Sequence, residues 1–225
     1  MKIEQISPHI WRLRSWVFIP ITVWLVEEKQ GLVLVDTGMD AMGKDILKHI
    51  LALKKGPLKR ILLTHGHSDH AGGLRRILTD TSVPVYAHKR ELRYLEGIQP
   101  YPRRSKAQQM IAPGIVQTLP MGGIGEEGSL GSLAMYWTPG HSPGHVVYYH
   151  EEDKVLLAGD LFTSRSGKLR RPMPMFTADM EEAIDSSRVV QRLQPDRMEI
   201  CHGDAVLHPA EQMERYLARY AGAEE

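Results

Sequence analysis

Cysteine is nearly absent from this chain. Cys201 is the only one, which excludes an internal disulfide framework and suits a reducing compartment. Long apolar runs are missing too. The longest stretch, residues 16–26, is broken by Pro20 and Thr22 and is too short to span a bilayer. The polar start Met1-Lys2-Ile3-Glu4-Gln5 is not followed by an apolar segment with a small-residue cleavage site. A soluble, cytoplasmic protein with no membrane partner is the expectation. Charge of one sign is also lacking. The formal net charge is +1, so nothing global points to an anionic membrane or to nucleic acid, and no extended basic and aromatic surface is apparent. A small-molecule substrate is the expected partner, and the oligomeric state is left open. Two common catalytic signatures are absent. The glycines of Met121-Gly122-Gly123-Ile124-Gly125 lack the Gly-Lys-Ser/Thr ending and following helix of a phosphate loop and read as a hairpin turn. No Gly-x-Ser-x-Gly elbow occurs.

What is present is an ordinary globular composition, with 42% apolar residues in 225, enough for one domain over residues 1–225. Residues 3–35 are strand-like, with β-branched and aromatic residues at 10–13 and 21–26 and an apolar run at 32–35. Ile46, Leu47, Ile50, Leu51 and Leu53 recur at helical spacing, which predicts a helix over 41–54. Further helices are expected at 71–78, 89–95, 180–193 (with Asp179 as N-cap) and 209–220 (with Pro209 at a favoured first position). Strands are expected at 61–63, 83–86, 115–117, 122–128, 133–137, 146–149, 155–158 and 197–201. Alternating strands and helices argue for an α/β class, and both halves run strands first, then helix and strand, as in a pseudo-duplication. Residues 99–114 hold three prolines and the cations Arg103, Arg104 and Lys106. They read equally as a solvated linker or as a lid over a cleft.

The densest chemistry lies in Thr64-His65-Gly66-His67-Ser68-Asp69-His70, just after the apolar run Ile61-Leu62-Leu63. A strand tip holds side chains rigidly and leaves them open to a cleft, as metal ligands require. Imidazole and carboxylate together suit zinc, iron, manganese or cobalt, and the lack of cysteine argues against a closed structural zinc site. Alone, the motif implies at least one metal. Three later strand ends offer further donors: His141 and His145 in Gly140-His141-Ser142-Pro143-Gly144-His145, Asp160 after Gly159, and His202 before Gly203. Glycine beside each would let the backbone approach a bound ion. Cys201, next to His202, is expected to point the opposite way as a buried small hydrophobe. His88 reads as a capping or surface histidine, and His9, His49, His150 and His208 as structural or exposed.

Taken in order, Thr-His-Gly-His-Ser-Asp-His, Gly-His-Ser-Pro-Gly-His, Gly-Asp and His-Gly, preceded by Leu34-Val35-Asp36-Thr37-Gly38, resemble the metallo-β-lactamase superfamily over nearly the whole chain. The resemblance implies a four-layer αββα sandwich of two mixed β-sheets with a dinuclear site. It places His65, His67 and His141 on one metal and Asp69, His70 and His202 on the other, with Asp160 bridging. Asp36 is then expected behind a ligating histidine, and His145 either lines the cleft or fixes its loop.

The implied chemistry is metal-dependent hydrolysis by a hydroxide of the dinuclear site, with Asp69 as the catalytic carboxylate that orients the nucleophile or passes a proton. Two divalent ions are expected, zinc first, with iron, manganese or cobalt as alternatives. The substrate is expected to be a small ester, lactone or thioester. The chain departs from glyoxalase II, whose extra helical domain has no counterpart after His202, and from the lactonases, since Leu161-Phe162-Thr163 follows Asp160 without a tyrosine. A phosphodiesterase or a mononuclear-iron sulfur dioxygenase are the alternatives. Arg165, Lys168, Arg170 and Arg171 read as a solvated loop or as an anion-binding cluster. Met173-Pro174-Met175-Phe176 reads as an apolar wall.

Overall fold

Two mixed β-sheets and a small separate hairpin carry the chain in the computed structural model, which describes residues 1–123 and 127–221. The chain divides into two units, Met1–Leu119 and Pro120–Glu225.

The first unit begins with β1 (Lys2–Gln5), β2 (Ile10–Val17), β3 (Ile19–Glu28) and β4 (Gly31–Val35), an antiparallel meander. The expected strands at 10–13 and 21–26 thus extend into one long hairpin, whose tip leaves Trp16 and Phe18 exposed. A 3-10 turn, Asp40–Met42, leads into α1 (Gly43–Leu53), which ends at Lys54 with φ +52°. Then come β5 (Leu58–Leu62), α2 (Ser68–Ala71), α3 (Leu74–Asp80), β6 (Val85–Ala87), α4 (Leu92–Leu95) and β7 (Val116–Thr118). The helix expected over 71–78 is in fact two, parted at Gly72-Gly73, where low helix propensity meets tight packing. The seven strands lie in sequence order, and β4 to β7 are mutually parallel. All five residues of β4 are buried, as a strand covered on both faces should be.

The second unit holds β8 (Glu127–Leu130), β9 (Leu133–Trp137), β10 (Val146–His150), β11 (Val155–Leu157), β12 (Thr163–Arg165), β13 (Lys168–Arg170), α5 (Met180–Ser186), α6 (Val189–Leu193), β14 (Arg197–Glu199), β15 (Val206–Leu207) and α7 (Met213–Tyr220). Its six-stranded sheet has the order β15-β14-β11-β10-β9-β8. Val147, Leu156, Met198, Val190, Met213 and Tyr216 join one apolar core of strand and helix residues. Asp179 caps α5 by accepting the Glu182 N–H at 2.9 Å. The helix expected over 180–193 breaks at Ser187, whose hydroxyl donates to the Ile184 carbonyl at 2.5 Å and competes with the helical ladder. Arg165, Lys168 and Arg170 belong to the β12–β13 hairpin, where all three are exposed to solvent as expected. Met175, expected in an apolar wall, is 74% exposed in a 3-10 turn. The expected turn at 121–125 and strand at 122–128 lie partly outside the described residues. The α/β class with two mixed sheets is as expected. Among the described residues no helix is long and apolar enough to cross a membrane.

Candidate metal centre

Topology explains why the donors cluster within each unit. In the first, β4, β5 and β6 are parallel, so the residues after each strand emerge at one edge of the sheet. Asp36 follows β4, the 64–70 loop follows β5, and His88 and Glu91 follow β6. In the second, β9 and β11 both run antiparallel to β10, and β14 runs parallel to β11. His141, Asp160 and His202 therefore also emerge at one edge.

The 64–70 loop is fixed from behind by Asp36. Its Oδ1 accepts the Thr64 N–H at 2.8 Å, and its Oδ2 accepts the Thr64 hydroxyl at 2.8 Å. The same Oδ2 lies 2.8 Å from His70 Nδ1. Asp36 itself is fully buried at φ +60°. The His70 carbonyl accepts from the Thr37 N–H at 2.7 Å and its hydroxyl at 2.8 Å. With Nδ1 of His70 engaged, Nε2 faces forward, 3.9 Å from Asp69 Oδ2. His65 Nε2 and His67 Nδ1 approach to 3.0 Å, while His65 Nδ1 lies 3.1 Å from the Thr64 hydroxyl. Two donor pairs thus sit side by side, and the His65 and His70 rings are 4.0 Å apart between centroids.

In the second unit one carboxylate oxygen serves two imidazoles. Asp160 Oδ2 lies 3.4 Å from His141 Nε2 and 3.3 Å from His202 Nε2. His141 Nδ1 is 3.2 Å from the Thr177 hydroxyl. His145 is fully buried and ties its loop in place: Nδ1 lies 2.9 Å from the Thr138 hydroxyl, and Nε2 accepts the Asp160 N–H at 3.2 Å. Cys201 is buried as expected, but its sulfur is not turned away. Asp160, Cys201 and His202 offer ligand atoms within 4.8 Å of one another. β14 stops at Glu199 and Cys201 lies in the turn beyond, so strand alternation no longer governs it.

This donor chemistry fits divalent metal. His65, His70 and His141 each have Nδ1 against a protein oxygen and keep Nε2 for the pairings just described, the arrangement that fixes tautomer and aim in metal-ligating histidines. The carboxylates are buried or half-buried beside these nitrogens. Such imidazole and oxygen donors suit zinc, iron, manganese or cobalt.

Sequence reasoning missed Glu91 and Tyr101. Glu91 is fully buried. It accepts the Gly66 N–H at 3.0 Å and the Tyr101 hydroxyl at 2.5 Å. Burial and this carboxylate hold the Tyr101 phenol well above its usual pKa, so the ring stays neutral. It sits edge-on to His67 at 4.5 Å and stacks on Tyr94 at 4.5 Å. Gly66 is small for this reason: a Cβ there would overlap Tyr101 Oη and Leu95. The glycine makes room for an aromatic ring rather than for an ion. In Lys89-Arg90-Glu91 nothing distinguishes Glu91 from a solvated helix charge. His88 is almost fully buried rather than on the surface, and it is not the helix cap: its Nδ1 accepts the Arg90 N–H at 3.4 Å in the turn before α4, whose N-cap is Glu91. Burial first, then Lys89 and Arg90, lowers the His88 pKa to about 4. His150 is likewise buried, with Nδ1 accepting the Asp153 N–H at 3.2 Å.

With this geometry in view, comparison with known proteins is decisive on family. The sequence model of the metallo-β-lactamase superfamily matches residues 16–202. The chain belongs to this superfamily. It is 36% identical over 226 residues to a probable metallo-hydrolase of Bacillus subtilis, YybB, covering 98% of this chain and 99% of that one. It is 28% identical over 182 residues to the hydroxyacylglutathione hydrolase GloC of Haemophilus influenzae, covering 76% and 81%. A crystal structure of a metallo-β-lactamase from Hirschia baltica superposes with a TM-score of 0.76 at 17% identity, covering 100% of this chain and 99% of that one, which shows a shared fold. As a superfamily member this chain is a metal-dependent hydrolase, and its His and Asp clusters point to divalent metal.

Proposed function

We propose that this metallo-β-lactamase superfamily hydrolase cleaves a small ester, lactone or thioester with two divalent ions, zinc first. His65, His67 and His141 would hold one ion, Asp69, His70 and His202 the other, and Asp160 both. The observation that carries this reading is the single Asp160 oxygen within 3.4 Å of two imidazole nitrogens, the geometry expected of a bridging carboxylate. The likeness to a hydrolase of hydroxyacylglutathione supports a thioester or ester over other bonds. When bound, such ions supply Lewis acidity and an activated water at neutral pH.

The chain's own groups do the rest. Asp36 and Thr177 orient His70 and His141 through their Nδ1 atoms. Asp69, whose side chain is 28% exposed while the neighbouring histidines are buried, can face substrate. It orients the attacking water and carries a proton to the leaving group. His145 keeps Asp160 in place through the backbone N–H. The single cysteine and its burial support a cytoplasmic setting.

The test is metal analysis of the purified protein, followed by a screen of thioesters, lactones, esters and phosphodiesters. Two equivalents of metal with turnover of an acyl substrate is the expected result. One equivalent of iron with oxygen consumption, or turnover of phosphodiesters alone, would overturn the reading. A His67→Ala variant should lose both metal and activity.

A further inference from the structure

The 99–114 segment is neither a plain linker nor a free lid. At one end Tyr101 is pinned by Glu91 and by the Tyr94 and His67 rings. At the other, the Met110 N–H donates to the Leu95 carbonyl at 2.8 Å, and Arg75 donates to the Met110 and Gln109 carbonyls at 3.0 and 2.8 Å. Between these anchors the Arg104 N–H closes a turn on the Tyr101 carbonyl at 3.0 Å. The turn holds Arg104 and Lys106 over a recess of about 270 Å³ that also takes in Gly66, His67, Ser68 and Tyr101.

Size and charge narrow what fits there. Ligand pockets generally exceed about 300 Å³, so 270 Å³ suits one arm of a substrate rather than a whole one. Among the described residues no carboxylate lines the recess, while two cations do. Glu91 is not part of the lining, and its Oε2 accepts from the Gly66 N–H and the Tyr101 hydroxyl. The lining includes His67, a proposed metal ligand.

We infer that this recess binds an anionic group, a carboxylate or a phosphate, at the end of a substrate arm, with Arg104 and Lys106 as specificity-determining residues. The proposal rests on the hydrolase reading above for the reacting bond, but the anion site stands on its own geometry. An anion held there sets the scissile bond back towards His67.

The test compares para-nitrophenyl hemisuccinate, anionic at neutral pH, with para-nitrophenyl butyrate, neutral and of similar length. Both are assayed on the metal-loaded wild type, Lys106→Glu and the double variant Arg104→Ala/Lys106→Ala, with metal content measured throughout. The wild type should prefer the anionic ester, and the preference should fade as salt is raised. In the double variant KM for the anionic ester should rise about tenfold, the size of a 1.4 kcal/mol loss, with kcat and the neutral ester changing less than twofold. Lys106→Glu should reverse the preference. Equal effects on both esters, or none, overturn the proposal. Calorimetric titration with succinate and with inorganic phosphate separates the two anions, and succinate or phosphate affinity that is the same in wild type and double variant also overturns it. Should the wild type cleave neither ester, yet the double variant bind these anions more weakly, the ester reading of its substrate fails and the anion site survives.

Discussion

The two units present their donors in opposite ways. In the first, His65, His67, Asp69 and His70 fall within six consecutive residues of one loop. In the second, His141, Asp160 and His202 come from three strand ends spread over 62 positions of the chain. The loop needs outside support to hold its shape, and receives it from Asp36 and Glu91, both fully buried. The strand ends are aligned by the sheet itself: β11 and β14 are parallel neighbours with Leu157 opposite Glu199, and the Cys201 N–H donates to the Gly159 carbonyl at 3.0 Å beyond the last pair. A dense motif therefore depends on buried polar side chains, and a dispersed one on backbone register with buried His145 and Thr177 behind it.

The contrast can be broken first at Asp160. Asp160→Asn should lower activity by at least about a hundredfold, the scale for losing a single electrostatic stabiliser. Metal content should fall with it, while the fold, read by circular dichroism, is kept. An Asp160→Asn protein with full metal and activity would overturn the proposed role of Asp160 as a ligand to both ions.

Asp36→Ala should come next. It strands the Thr64 N–H, the Thr64 hydroxyl and His70 Nδ1, costing about 3 kcal/mol on a scale of 1–3 per buried orphan. Metal affinity should drop about 10- to 100-fold. Denaturant melts and competition with a chelator check both. If the loop were self-supporting, neither would move.

Register is probed at Gly140, with φ +123° and the Ala183 backbone where a Cβ would go. Gly140→Ala should destabilise by about 2 kcal/mol or more, through strain at a position fit for glycine. Gly66→Ala meets only the side chains of Tyr101 and Leu95, which can shift, and should cost about 1–2 kcal/mol while disturbing the His67 ring. Thermal denaturation of the pair ranks a backbone clash against a side-chain one.

An effect seen only in acid is expected at His88. Its folded pKa, about 4, lies below the ordinary 6.5, so between these values the unfolded chain binds the extra proton. Stability should therefore fall as pH drops from 6.5 towards 4, by up to about 2 kcal/mol once solvent screening of Lys89 and Arg90 is allowed for. His88→Asn should flatten that limb of the pH–stability curve. An unchanged slope would remove His88 as its source.

Much of this was legible in residue order. The donor motifs, the strand runs before them and the α/β class follow from apolar runs that end in polar residues, a pattern local enough to read without coordinates. Cys201 shows the limit: alternation predicted that it turns away, but the strand ends two residues earlier and the turn brings its sulfur beside Asp160 and His202. The helices over 71–78 and 180–193 were expected whole, yet split at Gly72-Gly73 and Ser187, where tight packing and a side-chain hydrogen bond overrode periodicity.

By itself, the order of residues determined where imidazole and carboxylate donors stand along the chain and which family the chain belongs to, because donor type and spacing are properties of the covalent chain. Only the tertiary structure decided what the carboxylates behind them hold, and that Glu91 is one of them. Glu91 lies 25 residues from the Gly66 it holds and Asp36 lies 34 from His70. A carboxylate is buried when folding brings distant donors to it; the family motif marked Asp36, but no neighbour in sequence marks Glu91 as more than an ordinary charge.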